Sequence, residues 1–285
     1  MTIGVTGASG KLGHLVLSEL TKRIESREVV ALARSPEKVA VDNIEVRAFD
    51  YEKESMLCPA LEGVNTLVLV SSTGPGRVVQ HRNVIQAAQA AGVKHIVYTG
   101  VLHTDTSTWA LAKDHKVAEA DLQDAAMPVS VMRHSIYSEI YIPRIAEAVR
   151  TGSYIGSVGP GRTASASRAD LAEALAIVAI APAPQGLVIH EMAGDEAWTM
   201  EDLAVETSRQ IGRAITYRDL SPEAHLAELV GQGIPENRAA LSVSLDAAMR
   251  QGSVDDDSHE LSRILGRPTA SLKNLVAQGI QAASQ

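Results

Sequence analysis

The amino-acid sequence predicts an α/β protein with a doubly wound parallel sheet and a smaller α/β part at the C-terminal end. Three observations support this fold class. Strand-like and helix-like patterns alternate through the first half of the 285-residue chain, glycines recur between the first strand and the first helix, and the apolar run 66–70 is typical of a strand buried on both faces.

The first βαβ unit is the best-defined part of this pattern. Ile3 and Val5 are β-branched and directly precede three glycines spaced three residues apart, Gly7, Gly10 and Gly13. Apolar residues then recur at helical spacing, and the run 28–33 predicts the second strand.

The rest of the first half follows the same alternation. Further strands are predicted at 46–49, 66–70, 95–99 and 129–132, and helices at 53–61, 78–91 and 111–124. In an open parallel sheet a ligand binds at the carboxyl ends of the strands. A Rossmann-type domain with its ligand at that edge is therefore expected for residues 1–150.

After about residue 143 the alternation loosens, and residues 151–285 are expected to form a smaller substrate-binding region that is free to interleave with the first. A strand is predicted at 187–192. Thr199 and Asp202 have the spacing of a capping box, which begins a helix that Gly212 ends. The remainder is predicted to hold, in order, a short strand at 215–217, a helix starting at Ser221 and two or three further helices.

Composition and charge exclude several classes of protein. Apolar residues make up 45% of the chain, which suffices for a large core, and 26 basic against 34 acidic residues give a net charge of −8. No block of like charge suggests a nucleic-acid groove, and no apolar run approaches the roughly 20 residues of a membrane span. Because the start is not leader-like and Cys58 is the single cysteine, a cytoplasmic location is expected.

The glycine triplet predicts a dinucleotide site. Glycines between a strand and a helix let the backbone approach a pyrophosphate and place the phosphates at the helix N-terminus. An ordinary structural turn is the alternative. The second strand ends at Arg34, where an NAD site usually has an acidic residue, and a guanidinium suits the extra phosphate of NADP(H). NADP(H) is therefore the expected cofactor.

The proton-transfer pair of many dehydrogenases with this sheet is missing. In the Tyr-x-x-x-Lys motif, the lysine lowers the pKa of the tyrosine so that it exchanges a proton with the substrate. None of the six tyrosines has a lysine four residues later. The protein therefore either reduces an acceptor that needs no strong acid or binds its cofactor without turnover.

Several segments spread over nearly the whole chain resemble one family. They are residues 6–13, Arg34, 50–51, 80–83, 91–94, 98–99, His115 with Glu119, 137–139, 193–195, 198–199 and 265–269. In these segments the chain resembles the NmrA-like atypical short-chain dehydrogenases. Within that family it is most similar to the NADPH-dependent quinone oxidoreductases of type 2, with the triphenylmethane reductases close behind.

The resemblance implies a set of cofactor-binding residues. It places Gly7, Ala8, Ser9, Gly10, Lys11, Leu12 and Gly13 around the pyrophosphate, Arg34 at the 2′-phosphate, Ser71, Ser72 and Thr73 near the ribose, and Tyr137, Ser138 and Glu139 beside the nicotinamide, with Lys38, Asp50 and Thr99 completing the set. The family usually has an asparagine after that glutamate, where this chain has Ile140, so the correspondence is weaker there.

The implied reaction is the reduction of a planar, quinone-like acceptor by direct hydride transfer from NADPH. A quinone receives the negative charge on a phenol-type oxygen with a pKa of about 10, so no strong protein acid is required. Reduction of triarylmethane or azo dyes, and a redox sensor that binds NADP without turnover, are the alternatives.

His115 and Tyr137 are the candidate catalytic residues, and Trp109 and Tyr141 are the candidate wall of the acceptor pocket. His115 lies roughly where the related isoflavone-reductase-like enzymes have a lysine. We expect it to hydrogen-bond the acceptor oxygen or the nicotinamide ribose, or alternatively to be a surface histidine that faces solvent. No metal site is expected, because the histidines lack metal-ligand spacing. Homodimer formation stays open.

Overall fold

The computed structural model describes residues 1–284. Its strands are β1 (Ile3–Thr6), β2 (Val29–Ala33), β3 (Glu45–Ala48), β4 (Thr66–Leu69), β5 (His95–Val101), β6 (Val129–His134), β7 (Ser153–Gly156), β8 (Arg162–Thr163), β9 (Leu187–Met192), β10 (Trp198–Thr199) and β11 (Thr216–Asp219). Its helices are α1 (Lys11–Thr21), α2 (Glu54–Ala60), α3 (Arg77–Ala90), α4 (Ala110–Asp124), α5 (Ile142–Thr151), α6 (Arg168–Ile180), α7 (Met200–Ile211), α8 (Pro222–Gly231), α9 (Glu236–Arg250), α10 (Glu260–Leu265) and α11 (Leu272–Ala283).

Seven parallel strands form the central sheet in the order β3-β2-β1-β4-β5-β6-β9. The chain winds outward in one direction from β1 and in the other direction from β4. A crevice for a ligand therefore lies at the carboxyl ends of these two strands. The doubly wound, Rossmann-type sheet predicted from the sequence is confirmed.

Both faces of the sheet are buried by helices. Ile3 and Val5 of β1 share an apolar cluster with α1 and α6, whereas Leu67 and Leu69 of β4 pack with α2 and α3. Because alternate residues of a strand point to opposite faces, a strand covered on both sides is apolar at every position. This explains the continuous apolar run in β4.

Strands β5 and β6 each extend two residues beyond the predicted ends at 99 and 132. Gly100 is in the added part of β5, and Arg133 and His134 are in that of β6. Arg133 is buried, and its guanidinium is paired with Glu119 at 2.8 Å and with Glu191 at 2.8 Å. A charged side chain at the end of a strand can be buried once its charge is paired. The residues that pair with Arg133 lie in other segments of the sequence.

The second half of the chain interleaves with the first. Strand β9 pairs with β6 in the main sheet, and α6 packs on α1. The predicted strand at 187–192, the Thr199–Asp202 capping box and the helix start at Ser221 are confirmed. Helices α5 and α6 and strands β7 and β8 have no counterpart in the sequence prediction. A third apolar cluster, around Tyr141, Trp198 and Val276, forms the core of the C-terminal region.

In residues 1–284, none of the helices is both long and apolar enough to cross a membrane.

Candidate functional site

The three glycines form a tight turn between β1 and α1. Gly7 has a φ of +60°, which favours glycine, and its carbonyl accepts a hydrogen bond of 2.8 Å from the N–H of Gly10. A Cβ on Gly13 would lie 2.3 Å from the Gly7 carbonyl oxygen, so only glycine lets α1 pack this close to the turn. The N–H groups of the first turn of α1, which have no partner within the helix, are therefore suited to bind an anion next to β1.

A cavity of about 700 Å³ opens in front of this turn. Its lining comes from the segments that follow β1 to β4 and from Gln80 on α3. It consists of Gly7, Ser9, Gly10, Arg34, Ser35, Lys38, Phe49, Asp50, Tyr51, Glu52, Val70, Ser71, Ser72, Thr73, Gly74, Pro75 and Gln80. Nine predicted cofactor residues are in this wall: Gly7, Ser9, Gly10, Arg34, Lys38, Asp50, Ser71, Ser72 and Thr73. The size and position of the cavity suit a nucleotide.

Two cationic side chains stand at the β2 side of the cavity. Arg34 and Lys38 are exposed, and neither side chain forms a hydrogen bond or salt bridge within residues 1–284. Asp50, also in the lining, is instead held near Lys53, with Oδ2 at 3.8 Å from Nζ. A guanidinium and an ammonium with no internal partner are well suited to bind a phosphate group.

The loop after β4 is held from behind by buried polar groups. The N–H of Ser71 donates to Thr99 Oγ1 at 2.8 Å, and the N–H of Ser72 donates to His81 Nε2 at 3.0 Å. Thr99 is buried and does not line the cavity, so it supports the loop. The four remaining residues of the glycine segment, Ala8, Lys11, Leu12 and Gly13, likewise lie outside the cavity lining.

His115 is buried, which excludes the expectation of a surface histidine facing solvent. It is only 3% exposed, and its Nδ1 lies 2.7 Å from the hydroxyl of Tyr98. Burial, and then the neighbouring His81, Arg77 and His134, lower its pKa to about 3. The imidazole of His115 is therefore neutral at ordinary pH.

The segment Tyr137–Glu139 follows β6 and lies outside the cavity described above. The guanidinium of Arg168 sits 4.3 Å from the ring centroid of Tyr137, and Glu139 pairs with the same guanidinium at 3.1 Å. Ser138 is hydrogen-bonded to Ser165 at 2.9 Å between the two hydroxyl oxygens. These contacts fix the segment at the carboxyl end of β6.

His134, at the end of β6, was not singled out from the sequence. Its Nδ1 lies 3.4 Å from the hydroxyl of Tyr137, and its Nε2 is buried without a hydrogen-bond partner in residues 1–284. Burial lowers the pKa of His134 to about 3 and raises the pKa of Tyr137. A buried ring nitrogen without a hydrogen-bond partner lowers stability.

The two aromatic residues expected to line the acceptor pocket differ from each other in burial. Trp109 precedes α4 and is half-buried, whereas Tyr141 has no exposed surface. The Tyr141 ring packs edge-on against Trp198, with centroids 4.8 Å apart. Because its whole side chain is enclosed in the C-terminal core, Tyr141 offers no surface to an acceptor.

Other residues that line the cavity were not predicted from the sequence to be site residues. Phe49, Tyr51 and Glu52 follow β3, and Gln80 lies on α3. The signal that could have found the first three is their place directly after a strand in a parallel sheet. Among residues 1–284, no group of histidine, cysteine or acidic residues is arranged to hold a metal ion.

Known proteins share both the sequence and the fold. The family model described as NAD(P)H-binding matches residues 7–182. Quinone oxidoreductase 2 of Escherichia coli (strain K12) is 42% identical over 279 residues, which cover 96% of this chain and 97% of that protein.

Solved structures agree with these matches. The crystal structure of the E. coli NADPH-dependent quinone oxidoreductase complexed with NADPH superposes with a TM-score of 0.93 at 41% identity, covering 97% of this chain and 99% of that one. The Citrobacter sp. triphenylmethane reductase complexed with NADP(H) superposes with a TM-score of 0.93 at 30% identity, covering 98% and 100%. The sequence match, the glycine turn and the cavity in front of it together show that the chain belongs to the NAD(P)H-binding family.

Proposed function

We propose that the protein is an NADPH-dependent oxidoreductase that reduces quinones or similar conjugated acceptors by direct hydride transfer. The observation that carries this proposal is the nucleotide-sized cavity at the switch point of the sheet, with Arg34 and Lys38 at one end. The similarity over nearly the whole chain to a quinone oxidoreductase and to a triphenylmethane reductase supports it.

The preference for NADPH over NADH comes from the two cations. The lining of the cavity between β1 and β4 would hold the adenosine and pyrophosphate parts, with the phosphates at the glycine turn. Arg34 and Lys38 would then neutralise the 2′-phosphate, which NADH lacks. Asp50 lies in the same lining, and its Oδ2 is 3.8 Å from the Nζ of Lys53.

The tyrosines are poor proton donors, and this indicates the class of acceptor. Burial raises the pKa of all six tyrosines, so none is prepared to give up a proton as the tyrosine of a Tyr-x-x-x-Lys motif is. The acceptor must therefore stabilise most of the negative charge itself. A quinone does this, because its reduced oxygen is phenol-like, whereas a simple ketone would form a strongly basic alkoxide.

NADPH supplies the hydride, and the chain orients the two reactants. Ser71 to Thr73 would contact the ribose, and Tyr137, Ser138 and Glu139, fixed at the end of β6, would border the nicotinamide. His115 would hydrogen-bond the developing oxyanion as a neutral imidazole, and Tyr137 would bound the acceptor together with Trp109. Holding the reacting carbons in near-attack geometry is the main contribution of such a site.

The remaining expectations are parts of the same proposal. A cytoplasmic location fits the single cysteine, and the absence of a role for nucleic acid fits the net charge of −8. The acceptor is expected to be small and planar, as a quinone is.

Mixing the protein with NADPH and a benzoquinone, and following the loss of NADPH absorbance, tests the proposal. We expect oxidation that requires the quinone, is faster with NADPH than with NADH, and does not occur with a simple ketone. A cationic triarylmethane dye and an azo dye in the same panel would identify a different conjugated acceptor. Tight NADP binding with no NADPH oxidation by any acceptor would contradict an enzyme and favour a cofactor sensor.

His115 can be tested in the same assay. We expect His115→Ala to lower kcat several-fold with little change in the dissociation constant for NADPH, because it removes a contact to the acceptor. Full turnover in this variant would remove His115 from the proposed site.

A further inference from the structure

A buried row of polar side chains connects the nucleotide cavity with His115. The N–H of Ser72, in the cavity wall, lies 3.0 Å from His81 Nε2, and His81 Nδ1 lies 3.5 Å from the hydroxyl of Tyr98. That hydroxyl lies 2.7 Å from His115 Nδ1. His81 and Tyr98 are fully buried and His115 nearly so, which makes the direction of each hydrogen bond important for stability.

The backbone of Ser72 fixes the first proton position. A backbone N–H only donates, so Nε2 of His81 must carry a lone pair. Burial lowers the pKa of His81 to about 4, in agreement with a neutral ring. A neutral imidazole carries one proton, and in His81 this proton is therefore on Nδ1, on the side of Tyr98.

The hydroxyl of Tyr98 can then donate its hydrogen in one direction only. Its oxygen faces the Nδ1–H of His81, so its own hydrogen must point at the other polar neighbour, His115 Nδ1. Within residues 1–284 the hydroxyl of Tyr98 has no third hydrogen-bonding partner. His115 Nδ1 accepts this bond, and the proton of the neutral His115 ring lies on Nε2.

We infer that His81 and Tyr98 are positioning residues that hold His115 in the Nε2–H form, as a hydrogen-bond donor. In the described chain, Nε2 of His115 forms no hydrogen bond, and this atom is not fully enclosed. The N–H is thus available to a ligand. A neutral imidazole N–H stabilises a developing oxyanion without first losing or gaining a proton. This functional consequence rests on the proposed reductase activity, whereas the proton positions do not.

The proton positions can be measured without any turnover. In the full-length protein labelled with 15N-histidine, two-bond proton–nitrogen NMR spectra at neutral pH distinguish the two neutral forms of each ring. We expect the proton on Nδ1 in His81 and on Nε2 in His115, each assigned from the spectrum of a single-residue variant. A proton on Nε2 of His81, or on Nδ1 of His115, would overturn the inference.

Tyr98→Phe tests whether the two rings are connected. Loss of the hydroxyl should shift the Nδ1 resonance of His115. Tyr154→Phe is the matched control, because Tyr154 is also buried and hydrogen-bonded, at 2.8 Å to Thr207 Oγ1, but in the C-terminal region. It should leave the His115 signals unchanged. Equal responses to both variants, or no response to Tyr98→Phe, would contradict the connection.

Kinetics separate positioning from general stability. Tyr98→Phe should lower kcat several-fold with an unchanged KM for NADPH, and it should have no further effect in a His115→Ala background, because it acts through His115. The same fold loss in both backgrounds would show that Tyr98 acts independently and would overturn its positioning role. If the wild-type protein oxidises no NADPH, the proposed function fails, while the NMR result still decides the proton positions.

Discussion

Arg34 is the residue on which the proposed preference for NADPH depends. It is exposed at the cavity, it follows β2 directly, and no carboxylate in residues 1–284 pairs with it. Arg34→Ala should weaken NADPH binding by about 1–3 kcal/mol, the value of a hydrogen bond to a charged group, and leave NADH binding nearly unchanged. Calorimetric titration of both nucleotides measures the difference.

The control for this substitution is Arg27→Ala, which removes an exposed guanidinium that pairs with Glu25. It should change neither affinity. Equal weakening of NADPH and NADH by Arg34→Ala would contradict the assignment of the 2′-phosphate to Arg34.

Single residues also show the limit of reading the sequence alone. Arg34 and the glycines could be identified because their chemistry depends on their place directly after a strand. The burial of His115 could not, because it depends on His81 and Tyr98, which are brought to it by α3 and β5. Tyr141 was expected to line the pocket because it is aromatic, but its packing against Trp198 encloses it.

At the scale of elements, the β1–α1 turn makes the sharpest prediction. In Gly13→Ala the new Cβ meets the backbone carbonyl of Gly7, which cannot move aside without shifting the turn. We expect a loss of about 1–3 kcal/mol in the free energy of unfolding, together with weaker binding of both NADPH and NADH. Chemical denaturation and nucleotide titration of the same variant measure the two effects.

Gly231→Ala is the matched control, since a Cβ there has no neighbour within 4 Å. It should leave stability and nucleotide binding unchanged or slightly raise stability, because alanine favours helices. If Gly13→Ala behaved in the same way, the close approach of α1 to the glycine turn would not be required.

Elements whose signals are local were predicted best. The capping box of α7 and the Ser221 cap of α8 act within one helical turn, so the sequence suffices to locate them. The ends of β5 and β6 were placed too early, because Arg133 is buried through ion pairs with Glu119 and Glu191 from distant segments. Helix α6 was not predicted, although Ser167 caps it by accepting from the N–H of Asp170.

On the scale of the whole molecule, four buried histidines predict how stability depends on pH. Burial lowers the pKa from 6.5 to about 4 in His81 and His95 and to about 3 in His115 and His134. Between pH 6.5 and about 4 the unfolded chain therefore binds protons that the folded protein does not. The stability they contribute is complete above pH 6.5 and falls as the pH decreases towards 4 and then 3.

Urea denaturation at several pH values between 7 and 5 measures this effect above the range in which carboxylates titrate. We expect the free energy of unfolding to decrease steadily over this range. His95→Asn should make the decrease shallower, because it removes one of the four groups far from the cofactor site. A free energy of unfolding that stays constant from pH 7 to 5 would contradict the neutral, buried state of these histidines.

In the proposed reaction, hydride passes directly from NADPH, held at the carboxyl edge of the sheet, to a quinone-like acceptor. Single-turnover oxidation of NADPH deuterated at either face of C4, with a benzoquinone as acceptor, measures whether this transfer takes place. A fixed nicotinamide predicts a primary isotope effect for one deuterated face and none for the other, with the deuterium recovered in or exchanged from the reduced quinone. Oxidation that is slowed by neither label, or NADPH that remains bound and unoxidised, would contradict it.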